Sequence, residues 1–361
     1  MNILCVIDIL GSGGAQRQLV NIAIGFKERG HTVSFLVYHH HDFYVDILKQ
    51  NNIPIHEILE ANYLKRLIKM RKYIRKGNYN AVLSFLPASN FISEISGLPN
   101  RKWKLVVGER SANPAIFKSI KLRLFSWFHL FADHVVANSH ENIRMIRKIN
   151  PLLSIRKSHV IYNTVNFDLW KPNENYVPFK SGKFILIIAA SHRTLKNLNG
   201  LVEAVNLLTN EEKEILRIHW YGSDGNDKSK EQAKIKIKRY NLNHVFSFFE
   251  PTVLIHEKVQ MADAVGLFSH LEGLPNAVCE GMSAGKPVIA SNVSDIPLLI
   301  KNKEFIFNPN SPNDIAKTLS LLMNKSLHEL INIGKENREY ALEMFNGDLI
   351  VDEYLELLKN G

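Results

Sequence analysis

The sequence predicts an α/β protein made of two doubly wound parallel-sheet domains. Three observations carry this: the chain length, the alternation of short apolar runs with helical patterns, and a restart of that alternation near mid-chain. At 361 residues the chain is more than twice a typical domain of about 150 residues, so two cores are expected. Composition is close to the globular average, 45% hydrophobic and 22% charged with 19 Gly and 13 Pro, which excludes disordered and fibrous classes.

In the first half, β-branched apolar runs lie at residues 3–7, 32–38, 81–86, 105–107, 134–137 and 159–162. Strands at this spacing with helix-period segments between them form βαβ units and a parallel sheet. The second half restarts with runs at 184–190, 217–221, 245–249, 264–269 and 287–291, separated by helical patterns such as 198–208 and 276–284. Residues 171–182 carry two prolines and little periodicity, which marks a linker. The expected division is therefore a domain over 1–170, a linker over 171–182, a domain over 183–340 and a tail over 341–361. A final helical pattern over 333–358 is interrupted at Gly347. Ligands of open α/β sheets bind beyond the carboxyl ends of the strands, so two such sheets would line an interdomain cleft with strand-end loops.

Cys5 and Cys279 lie far apart in apolar runs, which fits buried thiols in a reducing compartment better than a disulfide framework. The opening residues lack a basic segment followed by a long apolar one, and no apolar stretch approaches the roughly 18 residues of a membrane span. A cytoplasmic protein is expected, neither exported nor membrane-spanning. The net charge of +10 is unevenly placed: residues 1–170 hold 23 Lys and Arg against 11 Asp and Glu, while the remainder holds 22 against 24. An excess confined to one half suggests a polyanionic surface facing it, with solubility as the plainer explanation.

Three strand-end loops carry chemistry. The first strand runs through Asp8 into Gly13 and Gly14 and then a helical pattern, a place where backbone N–H groups approach an anion. It is not a dinucleotide fingerprint, because position 16 is Gln and the second strand ends in His39, His40 and His41 rather than an acidic residue. Those three histidines point in different directions and make a poor metal site. In the second half, Arg193 and Lys196 follow a strand end, where two cations can hold a diphosphate or simply face solvent. The most specific segment places Glu272, Gly273, Leu274, Pro275, Asn276 and Ala277 ahead of a helix that carries Glu280. Carboxylates suit vicinal diols, so Glu280 can accept both hydroxyls of a ribose.

The spacing E-x7-E followed by G-M-S-A-G-K-P-V-I-A-S resembles the nucleotide-sugar motif of the family 4 retaining glycosyltransferases. Their fold, GT-B, is two Rossmann-like domains facing across a cleft, with a C-terminal helix crossing back to the first domain. The Gly13-Gly14 loop, the run V-I-Y-N-T-V-N at 160–166 and Lys196-Asn197 fall in the expected order, so the resemblance covers nearly the whole chain. It implies a metal-independent enzyme with no cofactor, using a nucleotide-sugar as substrate, with UDP as the carrier. Glu272, Lys196, Arg193 and Glu109 are implied as catalytic. The donor would be bound by Gly13, Gly14, Arg193, Lys196, Gly273, Leu274, Pro275, Asn276, Ala277 and Glu280, and the acceptor by Gln16, Arg110 and Asn113. The implied acceptor is a glycan or lipid-linked saccharide in cell-surface polysaccharide or glycoconjugate synthesis. Three departures stand out: the cations are spaced R-x2-K rather than R-x4-K, Gln16 replaces a common Glu, and Glu109-Arg110 with Asn113-Pro114 occupies the place of a common His. The alternatives are a nucleotide-sugar epimerase on the same architecture and a non-catalytic two-domain sugar-binding protein.

Lys65, Arg66, Lys69, Lys72, Arg75 and Lys76 crowd one helical stretch with Leu64, Leu67, Ile68 and Ile74 between them, a candidate contact for an anionic membrane at the inner face. A second stretch aligns Phe117, Ile120, Leu124, Phe128 and Phe131 on one helical face with Lys118 and Lys121 to one side, a surface that can dock on an anionic bilayer, although core packing is the role expected of that face. Nucleic acid is not an expected partner, because no recognised motif accompanies the charge.

Overall fold

Both halves of the chain are organised by parallel strands. The structure, a computed structural model, describes residues 1–110, 114–179, 182–225 and 227–359. It divides into one unit running to Thr164 and resuming at Asn346, and a second unit over Val165–Phe345.

The first unit holds β1 (Asn2–Val6), β2 (Thr32–Val37), β3 (Ile55–Glu57), β4 (Ala81–Phe85), β5 (Lys104–Glu109), β6 (His134–Ala137) and β7 (Ser158–Val160). Their order in the sheet is β3-β2-β1-β4-β5-β6-β7, all parallel, with Val6 paired to both Leu36 and Ser84. Helices cover both faces, so β4 is buried at every position, as continuous apolar runs require. The second unit holds β8 (Phe184–Ala189), β9 (Leu216–Tyr221), β10 (Phe246–Phe249), β11 (Ala264–Leu267), β12 (Val288–Ser291) and β13 (Ile306–Phe307), in the order β10-β9-β8-β11-β12-β13. Strand order therefore reverses between β1 and β4 in one unit and between β8 and β11 in the other. Such reversals open the crevice that open α/β sheets use for ligands.

Eleven of these strands coincide with the expected runs to within two residues. β3 and β13, of three and two residues, escape the pattern because they are edge strands too short to alternate. Cys5 and Cys279 are both buried thiols.

The division falls earlier than the expected boundary after residue 170. Gln18 holds Thr164 at three points: it donates to the Thr164 carbonyl (3.0 Å) and accepts from its N–H (2.8 Å) and hydroxyl (3.1 Å). The expected linker is not free either. Tyr176 Oη and the Phe179 N–H both donate to Asp263 at 2.9 Å, and the Lys286 ammonium lies 3.8 Å from the Tyr176 ring centroid. Those contacts strap it to the second unit.

A second difference concerns the face through Phe117, Ile120, Leu124, Phe128 and Phe131. Ile120 is 83% exposed, Leu124 50% and Phe117 40%. The helix Ile120–Phe128 turns Phe125 and Ser126 inward instead, and Phe125 stacks on Phe91 of helix Pro87–Ser96 with centroids 4.4 Å apart. Buried His129 completes this inward face by meeting Glu94. Of the expected stripe, Phe128 meets the Phe91 ring edge-on at 4.7 Å, while Phe131 is exposed.

The chain leaves the second unit after helix Leu327–Met344, and helix Gly347–Lys359 packs in the first. Arg29 pairs with Asp348 (3.0 Å) and Asp352 (2.6 Å), and Tyr354 is fully buried. Gly25 allows the close approach: a Cβ there would lie 2.6 Å from a Val351 methyl. Gly25→Leu is expected to cost about 1–3 kcal/mol through overpacking, and Val351→Ala in the same chain to recover part of it, as read by urea denaturation.

Candidate functional site

In the second unit, the loops after β8 and β11 meet at the reversal of strand order, and they carry the residues singled out there by sequence. After β8 the chain makes one 3-10 turn, Thr194–Lys196, and Asn197 adopts left-handed backbone with φ of 60°. The Asn197 side chain donates to the Pro309 carbonyl at 2.8 Å, which fixes that unusual conformation. Lys196 meets Glu272 from the other loop, Nζ to Oε1 2.5 Å, with both side chains largely buried. The two backbones are also tied, since the His270 N–H donates to the Leu195 carbonyl at 2.9 Å.

Behind Glu272, Ser294 donates to the Gly273 carbonyl at 2.6 Å, and Leu274 and Pro275 are buried. Helix Asn276–Ser283 starts at once, with Ala277 half-buried in its first turn. Val278, Cys279 and Met282 face the core while Glu280 stays half-buried, one turn from the helix N-terminus. Arg193 is exposed, its Nε donating to Ser191 Oγ at 3.0 Å. The loops at this reversal therefore carry the ion pair Lys196–Glu272, with Arg193 three positions before Lys196 and Glu280 in the helix that follows Glu272.

The first unit presents a different chemistry at its own reversal. Gly13 caps helix Gly14–Glu28, and Gln16 donates to Asp8 at 3.2 Å at the end of β1. Burial raises the Asp8 pKa, against the hydrogen bonds from Ile9 and Gln16. At the end of β5, Glu109 accepts from Asn90 (3.0 Å) and lies 3.3 Å from His129 Nε2, while His129 Nδ1 meets Glu94 at 2.7 Å. Burial opposes the charged imidazolium, yet Glu94 and Glu109 together outweigh it and push the His129 pKa up to about 10. Glu94 is itself raised, chiefly by burial.

Arg110 is also buried. It donates to Tyr354 Oη at 3.1 Å and to Asn163, and its guanidinium stacks 4.8 Å over the Phe85 ring. Asn113 lies outside the described residues.

The basic helix, Tyr63–Lys76, is used partly by the fold. Arg75 donates to the carbonyls of Ser96, Leu98 and Asn100 (3.0, 3.1 and 3.0 Å), and Arg66 stacks 4.8 Å from the Tyr38 ring centroid. Lys69 pairs with Glu60 at 2.6 Å. Lys65, Lys72 and Lys76 are exposed, as are Leu64 and Ile68.

Two family models together span most of the chain: "Glycosyltransferase Family 4" over residues 12–169 and "Glycosyl transferases group 1" over residues 172–340. The chain belongs to the family 4 glycosyltransferases. Its two parallel-sheet units have the GT-B fold. The transferase is 22% identical to a glycosyltransferase of Haemophilus influenzae, covering 98% of each chain. It is 23% identical, over 99% of this chain and 98% of the other, to the Campylobacter jejuni enzyme named GalNAc-alpha-(1->4)-GalNAc-alpha-(1->3)-diNAcBac-PP-undecaprenol alpha-1,4-N-acetyl-D-galactosaminyltransferase. Among solved structures, Anabaena Alr3699/HepE in complex with UDP superposes with a TM-score of 0.86 at 18% identity, covering 99% of both chains.

Several residues of the transferase that sequence reasoning passed over complete these sites. Asn90, Glu94 and His129 sit in helical patterns with nothing to mark them singly. A collective signal exists: helix Pro87–Ser96 buries Ser89, Asn90, Ser93, Glu94 and Ser96. Polar groups placed on a buried helix are there to be paired.

Removing His129 would leave two carboxylates buried together. His129→Gln is expected to lose about 3–5 kcal/mol of stability at neutral pH. Because the folded pKa is raised from 6.5 to about 10, the histidine's contribution is full below pH 6.5 and is lost as pH rises toward 10. The stability gap between wild type and variant, measured by denaturant titration, should narrow across that window.

Proposed function

We propose that this glycosyltransferase is a retaining enzyme that moves a sugar from a UDP-sugar to a glycan or lipid-linked saccharide, in cell-surface polysaccharide or glycoconjugate synthesis. One observation carries the reading: Lys196 and Glu272 meet at the strand-order reversal of the second unit, with Glu280 on the adjoining helix. The UDP-bound Anabaena neighbour supports the choice of carrier, and the undecaprenol-linked substrate named for the Campylobacter relative supports the acceptor class.

In this mechanism Glu280 takes the ribose hydroxyls, and Arg193 and Lys196 neutralise the diphosphate. Lys196 exchanges its Glu272 partner for phosphate oxygen, which releases Glu272 to the sugar hydroxyls. Gly13 and Gly14 offer backbone N–H groups to an anion, and Gln16, Glu109 and Arg110 belong to acceptor handling. The bond from the anomeric carbon to the β-phosphate oxygen breaks, and the acceptor oxygen bonds to the same face of that carbon. The acceptor proton passes to the departing phosphate oxygen. The two cations and the N-terminus of helix Asn276–Ser283 supply the positive charge, so the reading includes no metal and no resident cofactor.

Peripheral attachment to an anionic membrane belongs to the same proposal, through Lys65, Lys72 and Lys76 beside exposed Leu64 and Ile68. No helix among the described residues is long and apolar enough to cross a membrane.

Lys196→Ala is expected to lower turnover of a UDP-sugar by about 10²–10³-fold, the usual effect of removing one fixed donor to leaving-group charge. Glu280→Ala should abolish the thermal shift given by UDP while leaving the melting temperature without ligand in place. Wild-type turnover in Lys196→Ala, or an undiminished UDP shift in Glu280→Ala, would refute these assignments.

A further inference from the structure

The turn that carries Lys196 is held by a residue from a third loop, the one after β9. β8 and β9 run parallel, and the chain beyond them continues side by side: the Ala190 N–H donates to the Tyr221 carbonyl at 3.0 Å and the His192 N–H to the Ser223 carbonyl at 2.9 Å. His192 also turns its buried ring to that carbonyl, with Nδ1 3.1 Å from the oxygen. Gly222 permits the approach, because a Cβ there would lie 1.9 Å from the Ala190 carbonyl oxygen. Beyond these contacts Asp227 reaches across. Its Oδ2 accepts from the Thr194 N–H (2.8 Å) and from the Thr194 hydroxyl (3.0 Å), while its Oδ1 accepts from the N–H of Ser229 (3.0 Å), the first residue of helix Ser229–Arg239. Those bonds, the one from the Thr194 N–H first, hold the Asp227 carboxyl below its ordinary pKa.

Thr194 opens the 3-10 turn that ends in Lys196, and the Asn197 N–H closes the turn on the Thr194 carbonyl at 3.0 Å. A single 3-10 turn has poor hydrogen-bond geometry and little stability of its own. One carboxylate taking both donors of Thr194 fixes where this turn begins, and the Asn197 side chain on the Pro309 carbonyl fixes where it ends. Lys196 has a long flexible stem, so the backbone from which it projects decides where its ammonium is held. Arg193 is anchored separately, by the Ser191 hydroxyl. Thr194 and Asp227 are both exposed. Exposed positions contribute little to folding as a rule, so a three-bond clamp between them points to the placement of the turn rather than to the core.

We propose that Asp227 is a positioning residue of the diphosphate site: through Thr194 it sets the turn that aims Lys196 at the donor. The proposal rests on the reading of the second unit as a nucleotide-sugar site, and it adds the loop after β9 to that site. When a diphosphate draws Lys196 away from Glu272, the clamp keeps the backbone beneath Lys196 in place.

The test titrates the full chain with UDP and with uridine, followed by NMR, because uridine keeps the ribose and lacks the diphosphate. Wild type should prefer UDP. Asp227→Ala should cut that preference about tenfold and leave uridine binding unchanged. Thr194→Val, which loses the hydroxyl but keeps the N–H, should show part of the effect, and Thr194→Ser should behave as wild type. In the Lys196→Ala background the preference is already reduced, and Asp227→Ala should reduce it no further, as two residues acting through one contact require. The turn is also read without nucleotide: trypsin should cut after Lys196 several times faster in Asp227→Ala than in wild type, at an unchanged melting temperature. The proposal falls if Asp227→Ala keeps the wild-type preference, if it weakens uridine and UDP alike, or if its effect persists undiminished in Lys196→Ala. Failure of wild type to bind UDP would overturn the donor reading instead. The trypsin comparison then still decides whether Asp227 holds the turn, and equal cleavage of the two proteins overturns the clamp.

Discussion

A parallel sheet covered by helices on both faces has only one place to put chemistry, the loops at the carboxyl ends of its strands. The candidate site residues of both units follow from that constraint. In the first unit the two strands flanking the reversal are β1 and β4, and the loops beyond them bring Asp8, Gly13 and Gln16 into range of one face of the sheet, with Glu109 and Arg110 arriving from neighbouring β5. In the second, the same topology places Lys196 against Glu272, although 76 positions separate them in sequence. Neither residue belongs to a local motif with the other, and only the strand order makes them partners.

How much of this was legible in the sequence depended on how local each signal is. Buried parallel strands write themselves as continuous β-branched runs, so β8 and β11 could be read directly. The Glu272-to-Glu280 segment was legible because loop and helix start are contiguous. The Glu94–His129–Glu109 cluster was not, because its members come from three elements and each looks ordinary alone. The rotation of helix Ile120–Phe128 shows the limit of reading an apolar stripe: Phe125, which is off the stripe, stacks on Phe91 while Ile120 and Leu124 of the stripe stay exposed. The compact units divide a few residues before the expected boundary, with which the spans of the two family models, 12–169 and 172–340, agree. Proline content at 171–182 suggested a tether, whereas Gln18 and Asp263 decide where the chain is held, through hydrogen bonds that composition does not display.

The basic excess of residues 1–170 also acquires a finer meaning. Arg71 and Arg75 satisfy backbone carbonyls at the end of helix Pro87–Ser96, and Arg110 is buried beneath the sheet edge, so these charges are structural or enclosed. The lysines of Tyr63–Lys76 and the cations around Ile120–Phe128 face solvent. Guanidinium groups suit fixed, multi-point hydrogen bonding, and ammonium groups suit a diffuse anionic surface. Arg71, Arg75 and Arg110 thus serve the fold by such bonds, while other cations of the same half, Arg123 and Arg144 among them, are exposed.

Helix Gly347–Lys359 belongs to the first unit although it follows the whole of the second. Its Tyr354 is one of the partners that hold Arg110 in place, and its Val351 packs against Gly25. During synthesis, the first sheet is therefore exposed on the ribosome before the segment that completes it has been made. At about 5–20 residues per second, the intervening stretch Val165–Phe345 imposes a wait on the order of 10–40 s. Over that interval the Arg110 pocket lacks Tyr354, and the surface around Gly25 stands open to water. The first domain to be translated is the last to be finished.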